Sequence, residues 1–545
     1  MKFTMTIVMA AAGSLTLLVM VLAALSVDVA VAAPPAPDVP SAAIITGTQA
    51  APLALFSNVA PTAPLPRLPE ATTKRAVAKP LSPQALAVLA TAPITPDLRL
   101  QVALFPDADY IVQFEDVVHN ASGSVSWLGR LQGDDLSQVV LTTRAGMVYG
   151  TISSPSGVFE ITAITGNQYL IREIDQSGFG ENPNDAVPSP AASDSALTEQ
   201  PAAPQIDDGS VVDVIVAYTD DARVAAGSTA AIETQIDTAI NAANQTYQAS
   251  GVASRVRLAA MFEVNYVESL SSTIDLNNVT QNLAGLQLML NWREAYAADL
   301  VTLITEQLDP ATCGLAWHMA TVSNAFAAQA TNVVARDCMN TNLSLPHEWG
   351  HNRGLRHDWY VETGTTPYSY AHGYVLTPTL PAPWRTIMAY NARCAAAGTN
   401  CTRIGRWSNP AQFNGINRLG VPAGTSTACT INNLSNPLCD ADEAQALNNT
   451  AVTVANFRAG NLTNVYVNTV CTLVGGVCAE TGTSGFPYDT FTEGAFRAAP
   501  NTNVFINPGT YPESLVLVNQ WPHRLLIDRP MTLQVNGSGT VVIGQ

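Results

Sequence analysis

The stretch Leu345-Pro346-His347-Glu348-Trp349-Gly350-His351-Asn352-Arg353-Gly354-Leu355-Arg356-His357-Asp358 decides how the rest of the chain is read. His347 and His351 are four positions apart, so on a helix they project from one face about a turn apart and can hold one metal ion. Glu348 stands beside the first ligand, where it can take a proton from water activated at the metal. Gly354 can adopt the left-handed conformation that ends a helix, and the chain can then turn to bring His357 in as a third ligand. Three neutral imidazoles with an open fourth position are the donor set of a catalytic zinc site rather than a closed structural one. Pro346 lacks an amide hydrogen and is tolerated only in a helix's first turn, so the spacing predicts a helix start near Asn342 or Ser344.

Upstream, Val211–Tyr218 reads as a buried strand, and Ile232, Ile236, Ala239, Ile240, Ala243 and Tyr247 fall on one helical face. Val256–Val267 reads as a strand, Leu283, Leu286, Leu290 and Trp292 as a second helix, and Asp299–Thr305 as a third strand. Alternation of this kind predicts a mixed α/β sheet with helices packed on it. Downstream, a last helix is expected from Ala441 to Phe457.

The zinc signature resembles that of the metzincin metallopeptidases. Thr386-Ile387-Met388-Ala389-Tyr390 looks like that family's Met-turn, which implies that Met388 forms an apolar floor under the histidines. Tyr390 matches subfamilies in which the tyrosine contacts the metal or the reaction intermediate; plain packing is the competing role. The layout of residues 211–458 resembles bacterial reprolysin-like enzymes, and within them peptidyl-Asp metallopeptidases. Cys313-Gly314, Tyr370-Ala371-His372-Gly373-Tyr374 and Trp407-Ser408-Asn409-Pro410 carry that likeness. The resemblance implies a metzincin-type catalytic domain of α/β (α+β) class, with a mixed twisted sheet and a zinc helix. It implies one catalytic zinc ion, with His347, His351 and His357 as ligands and Glu348 as general base. Tyr390 would assist, Met388 and Gly354 would be structural, and Asp358 would orient the third ligand. No calcium motif is indicated.

The 545-residue chain carries 25 basic and 43 acidic residues, a net charge of −18, which argues against nucleic-acid binding. Its only lysines are Lys2, Lys74 and Lys79, which excludes a Walker-type loop or a Schiff-base lysine in the main body. Between Thr363 and Cys439 there is no carboxylate, while Arg385, Arg393, Arg403, Arg406 and Arg418 all fall there. The family resemblance places a wall of the pocket for the residue after the cut in this region, so arginines here predict a preference for Asp or Glu. Arginines that bond carbonyls or face solvent are the alternative.

Lys2, the apolar run Ile7–Leu25 and Ala30-Val31-Ala32 read as a secretory leader over 1–32; an uncleaved anchor is the alternative. The remaining boundaries are expected as follows. Residues 33–96 form a disordered Pro/Ala-rich lead-in, 97–177 a β-rich prodomain and 178–208 a linker. Residues 209–460 form the metallopeptidase domain and 461–545 a β-helix-like tail. No cysteine precedes Cys313, so a cysteine-based latency switch is excluded, leaving a carboxylate ligand or steric cover. A permanent β domain is the alternative to a removable one. Pairing neighbouring cysteines closes the shortest loops, but it is one of roughly 105 connectivities. The candidate substrate edge is 316–330. The expected product is a secreted, monomeric enzyme acting on proteins or peptides, without stable membrane association once the leader is cut; a periplasmic location is the alternative. The competing reading is an extracellular surface-binding protein with an inert peptidase domain; loss of a ligand or of Glu348 would favour it, and none is lost.

Overall fold

The computed structural model describes residues 51–91, 98–189, 207–309, 312–376, 382–425, 429–436, 438–458, 462–470, 482–511 and 531–543. It also describes short strands at 5–8, 17–19, 472–474, 477–479, 517–518 and 521–522. Most of the leader expected over 1–32 lies outside these residues.

The N-terminal body is one nine-stranded sheet. Its strands are β1 (Leu53–Ala54), β2 (Thr73–Pro80), β3 (Arg99–Phe105), β4 (Ala108–His119), β5 (Val125–Leu131), β6 (Gln138–Arg144), β7 (Met147–Ser154), β8 (Gly157–Thr165) and β9 (Gln168–Ile174). Their order is β1-β3-β4-β5-β6-β7-β8-β9-β2. Strands β3 to β9 form an antiparallel meander, as alternating residues between Gly, Asn and Asp turns dictate. The sheet and helix α1 (Pro83–Thr91) share a separate core that includes Leu89, Leu104, Trp127, Leu141, Ile152 and Ile171. This corrects the expected disordered lead-in over residues 51–91; the rest of 33–96 lies outside the described residues. Thr73–Pro80 pairs along β9, while Leu53–Ala54 pairs with β3. The Pro/Ala-rich composition obscured these strands.

The second body is a six-stranded sheet of order β10-β14-β15-β13-β11-β12. Its strands are β10 (Ala186–Pro188), β11 (Val211–Thr219), β12 (Arg255–Val264), β13 (Leu300–Thr305), β14 (Gly314–His318) and β15 (Thr331–Ala335). All neighbours are parallel except β14 and β15, so the sheet is mixed. The linker reading of 178–208 is therefore corrected for its first part: β10 adds to the edge strand β14, and Asp185 before it is buried. The candidate edge 316–330 is corrected too. Only Gly314–His318 is a strand there, whereas Asn324–Gln329 is a 3-10 helix.

Helix α2 (Thr229–Ala249) separates the two bodies and is buried by both. Its apolar face, Ile232, Ile236, Ala239, Ile240, Ala243 and Tyr247, joins the core of the second body. Its other face meets the β body largely through polar groups. Asp237 accepts from the Ser122 and Ser124 hydroxyls, and Asn241 donates to Asn120 and Ser126. Gln138 and Gln245 donate to backbone carbonyls across the boundary.

Helix α3 (Ser344–Asn352) is buried along its whole length beneath the sheet. Pro346 falls in its first turn, where no backbone bond is lost. The Trp349 indole donates to Thr302, and Asn352 donates to the carbonyls of Trp317 and Thr331, tying the helix to three strands. Three disulfides brace this body: Cys313–Cys338, Cys394–Cys401 and Cys429–Cys439. The fourth neighbouring pair includes Cys471, outside the described residues. A last helix, α4 (Glu443–Val454), closes the domain. Beyond it, three strands stack in parallel, Leu462–Val467, Ala498–Ile506 and Met531–Val535, with Val465, Val504 and Leu533 in register over a small core. No helix among the described residues is long and apolar enough to cross a membrane.

Candidate active site

The three histidines converge because helix α3 ends where Gly354 allows it. Gly354 has φ +85°, its amide donates to the His351 carbonyl, and the Leu355 amide donates to that of Gly350. That pair of bonds is a Schellman cap, and it turns the chain so that His357 faces His347 and His351. The Nδ1 of His347 lies 3.0 Å from the Ile387 carbonyl, and that of His351 lies 2.9 Å from the Leu355 carbonyl. A backbone acceptor fixes the proton on Nδ1 and leaves the Nε2 lone pair free for a metal. Glu362 stands behind His357. Its carboxylate accepts from the His357 amide and lies 3.3 Å from Nδ1.

The fourth group of the cluster is Asp185, from the segment before β10. Its carboxylate oxygens lie 2.7 Å from His357 Nε2, 3.1 Å from His351 Nε2 and 3.4 Å from His347 Nε2. The four donor atoms all lie within 4.8 Å of one another. His347 and His351 Nε2 are 3.2 Å apart. A tetrahedron with bonds of ~2.0–2.1 Å has edges of about 3.3 Å, so these residues fit a zinc ion. His357 Nε2, buried and without hydrogen-bond geometry toward any partner, agrees with that fit. Burial would raise the Asp185 carboxyl, but His357 first, and then the other two facing imidazoles, outweigh it and hold it well below the usual range. Burial opposes protonation of His357 as well, yet Asp185 and Glu362 push it up to about 10, while burial drives His347 down to about 3.

Glu348 lies in a cradle. One oxygen is buried without a partner, and burial, then the Asp185 charge, raises its carboxyl well above the ordinary value. Gly314 makes room for it: a Cβ there would meet Glu348 Oε1 at 2.3 Å. Met388 packs from below, where a Cβ on Gly350 would meet its Sδ at 2.5 Å. The Tyr390 ring stacks 4.4 Å from the His357 ring, and its hydroxyl donates to Asp185 and to the Asn182 carbonyl. The Asp358 carboxylate accepts from the Tyr390 and Tyr360 amides, pinning the Met388 loop to the third-histidine loop.

The five arginines expected near the cut do not stay together, and Arg418 donates to the Pro410 carbonyl. Arg385 and Arg403 are buried just behind Tyr390, and both guanidiniums reach the Ala389 carbonyl. Arg406 turns away to the Asp135 carbonyl of the β body, and Arg393 lines a separate small cavity with Asp358, Trp359 and Tyr374. Asp185, Glu181, Glu362 and the cradle at Gly314 were not picked out as functional from sequence. Gly314 carried a family likeness; the three carboxylates lie in stretches without spacing or periodicity to mark them.

This geometry defines a class, a single-metal hydrolase built on a histidine triad, and comparison with known proteins places the chain within it. Residues 208–404 match the reprolysin-type family described as metallo-peptidase family M12. A peptidyl-Asp metalloendopeptidase of Stenotrophomonas maltophilia strain R551-3 is 30% identical over 332 residues, covering 60% of this chain and 72% of the relative. Its counterpart in strain K279a is 29% identical over 341 residues, with 60% and 72% covered. A peptidyl-Asp metalloendopeptidase of Xanthomonas campestris pv. campestris is 28% identical over 333 residues, with 60% and 71% covered. The chain belongs to the reprolysin-like M12 metallopeptidases and is a zinc metalloendopeptidase.

Proposed function

We propose that this chain is a secreted, latent zinc endopeptidase that cleaves on the N-terminal side of acidic residues. One observation carries the reading: three buried imidazoles aim Nε2 at one point beside a cradled, buried carboxylate, Glu348. His347, His351 and His357 would hold a zinc ion, which when bound would supply Lewis acidity to the scissile carbonyl and lower the pKa of a water. Glu348 takes the proton of that water as the new C–O bond forms, then delivers it to the amide nitrogen as the C–N bond breaks. Tyr390, once Asp185 has left, donates a hydrogen bond to the oxyanion. Asp358 and Met388 hold these groups in place.

Asp185 supports latency, since its carboxylate fills the fourth position of the cluster and ties up the Tyr390 hydroxyl. The β body is then the removable part. It has its own core, and its seam with helix α2 carries many hydrogen-bonding groups that water can satisfy after separation, while Val158, Ile174 and Phe179 pack into the second body's core. The cut would fall between Ser189 and Asp207. The leader over 1–32 and the three disulfides support export to an oxidising compartment. The stacked tail strands support a short β-helix-like module. The names of the relatives, together with the buried Arg385 and Arg403, support the acidic preference.

The deciding experiment is proteolysis of a denatured protein mixture by chain secreted from a host, with the mature N-terminus sequenced. Hydrolysis abolished by Glu348→Ala and by a chelator, with cuts preceding Asp or Glu, is expected. Inactivity of a processed, zinc-loaded chain would sink the reading.

A further inference from the structure

The two buried guanidiniums near the metal cluster already hold a carboxylate, and it comes from the segment that carries Asp185. Glu181 Oε1 lies 2.6 Å from Arg385 Nη1 and 4.0 Å from Arg403 Nη2, and Oε2 accepts from the Asn391 amide at 2.8 Å. Arg385 Nη2 and Arg403 Nε are buried and without hydrogen-bond partners. Arginine cannot shed its charge at ordinary pH, so two such groups left together in a dry pocket demand an anion. Among the described residues, Glu181 is the carboxylate paired with both.

We propose that the Arg385–Arg403 pocket is the seat of the substrate's acidic side chain, and that Glu181 is its built-in stand-in, held there until the prosegment leaves. This rests on the peptidase reading and deepens it. The segment from Glu181 to Asp185 then blocks two sites with two carboxylates: one in the specificity pocket and one at the metal cluster. The order of these anchors matters. In the prosegment, the pocket residue precedes the residue at the metal. In a substrate cut before its acidic residue, the scissile carbonyl at the metal precedes the pocket residue. The prosegment therefore lies in the reverse chain direction, in keeping with its parallel pairing on β14. A reversed strand presents no carbonyl and leaving nitrogen in the productive order, which lets it occupy the cleft without being cut there. Because the occupant is a glutamate, the pocket accommodates Glu as well as Asp.

The test uses the processed enzyme and a labelled peptide spanning Gly178 to Pro188. Binding is read by fluorescence anisotropy, which needs no turnover. The Glu181→Ala peptide should bind about 10- to 100-fold more weakly than the native one, the range for a charge-assisted contact. Substrates differing only after the scissile bond should be cut with Asp and Glu favoured over Asn, Gln and Ala by a similar factor. Arg385→Gln should shrink both ratios. Equal binding of the two peptides would overturn the proposal, even if the enzyme is active. Turnover without any acidic preference would overturn it equally, while leaving the peptidase reading intact. An enzyme that hydrolyses nothing yet still binds the peptide through Glu181 would leave the pocket standing and remove the peptidase reading. If Arg385→Gln does not fold, the Glu181→Ala and Asp185→Ala peptides compared side by side still decide the matter.

Discussion

The metal cluster and the arginine pocket lie on either side of Tyr390, and each is filled by a carboxylate from one short segment. They solve the burial of polar groups in opposite ways. The imidazoles can be neutral, so backbone carbonyls behind His347 and His351 suffice to fix them while Nε2 waits for a ligand. The guanidiniums of Arg385 and Arg403 are paired with the Glu181 carboxylate, because a buried guanidinium is stabilised by an anion. The first site is defined by what it will coordinate, the second by what it must neutralise. An enzyme that uses both gains chemistry from the one and selection from the other.

The comparison breaks most visibly at Glu348. Glu348→Gln is expected to lower kcat about 10²- to 10⁴-fold with little change in KM, read by steady-state kinetics. An unchanged kcat would remove the carboxylate from the metal side altogether. Gly314→Ala comes next. The added Cβ forces Glu348 out of its cradle, and a displacement near 1 Å is expected to cost up to about 10²-fold in kcat. Zinc content measured by atomic absorption should stay unchanged, because the imidazoles are not touched.

Removing the metal separates the two sites. A chelator should abolish hydrolysis, while the anisotropy difference between the native and Glu181→Ala peptides persists, since the arginines need no metal. Loss of that difference with the metal would show that the pocket depends on the cluster. Asp185→Asn in the unprocessed chain weakens only the metal-side anchor and should raise its activity about 10-fold or more, with Glu181 still holding. The smallest effect is Met388→Leu, which exchanges one buried apolar side chain for another of similar volume. It should cost less than about 1.5 kcal/mol by denaturant unfolding and leave specificity unchanged.

How much of this was legible depended on where the determinants sit along the chain. The histidines lie within eleven residues, and helical geometry converts their spacing into convergence. The alternation of β11, α2, β12 and β13 was readable for the same reason: each element advertises its own period. The arginine pocket has no such local signal. Five arginines in a carboxylate-free stretch suggested it, but only the fold selects Arg385 and Arg403 and turns Arg406 toward the β body. Asp185 and Glu181 lie about 160 and 200 positions from the groups they meet, in a stretch whose Asn, Pro and Asp content reads as a linker. Thr73–Pro80 was missed because its partner, β9, lies about 90 positions away.

The polar seam between the β body and helix α2 bears on the kinetics of activation. A cut between Ser189 and Asp207 severs the covalent tie but leaves every hydrogen bond of that seam, and both carboxylate anchors, in place. The nicked protein is then a bimolecular complex governed by mass action. Its activity should rise on dilution and fall again when the separated β body is added back. On the proposed reading, a concentrated sample of the cut protein would stay silent and would switch on as it is diluted.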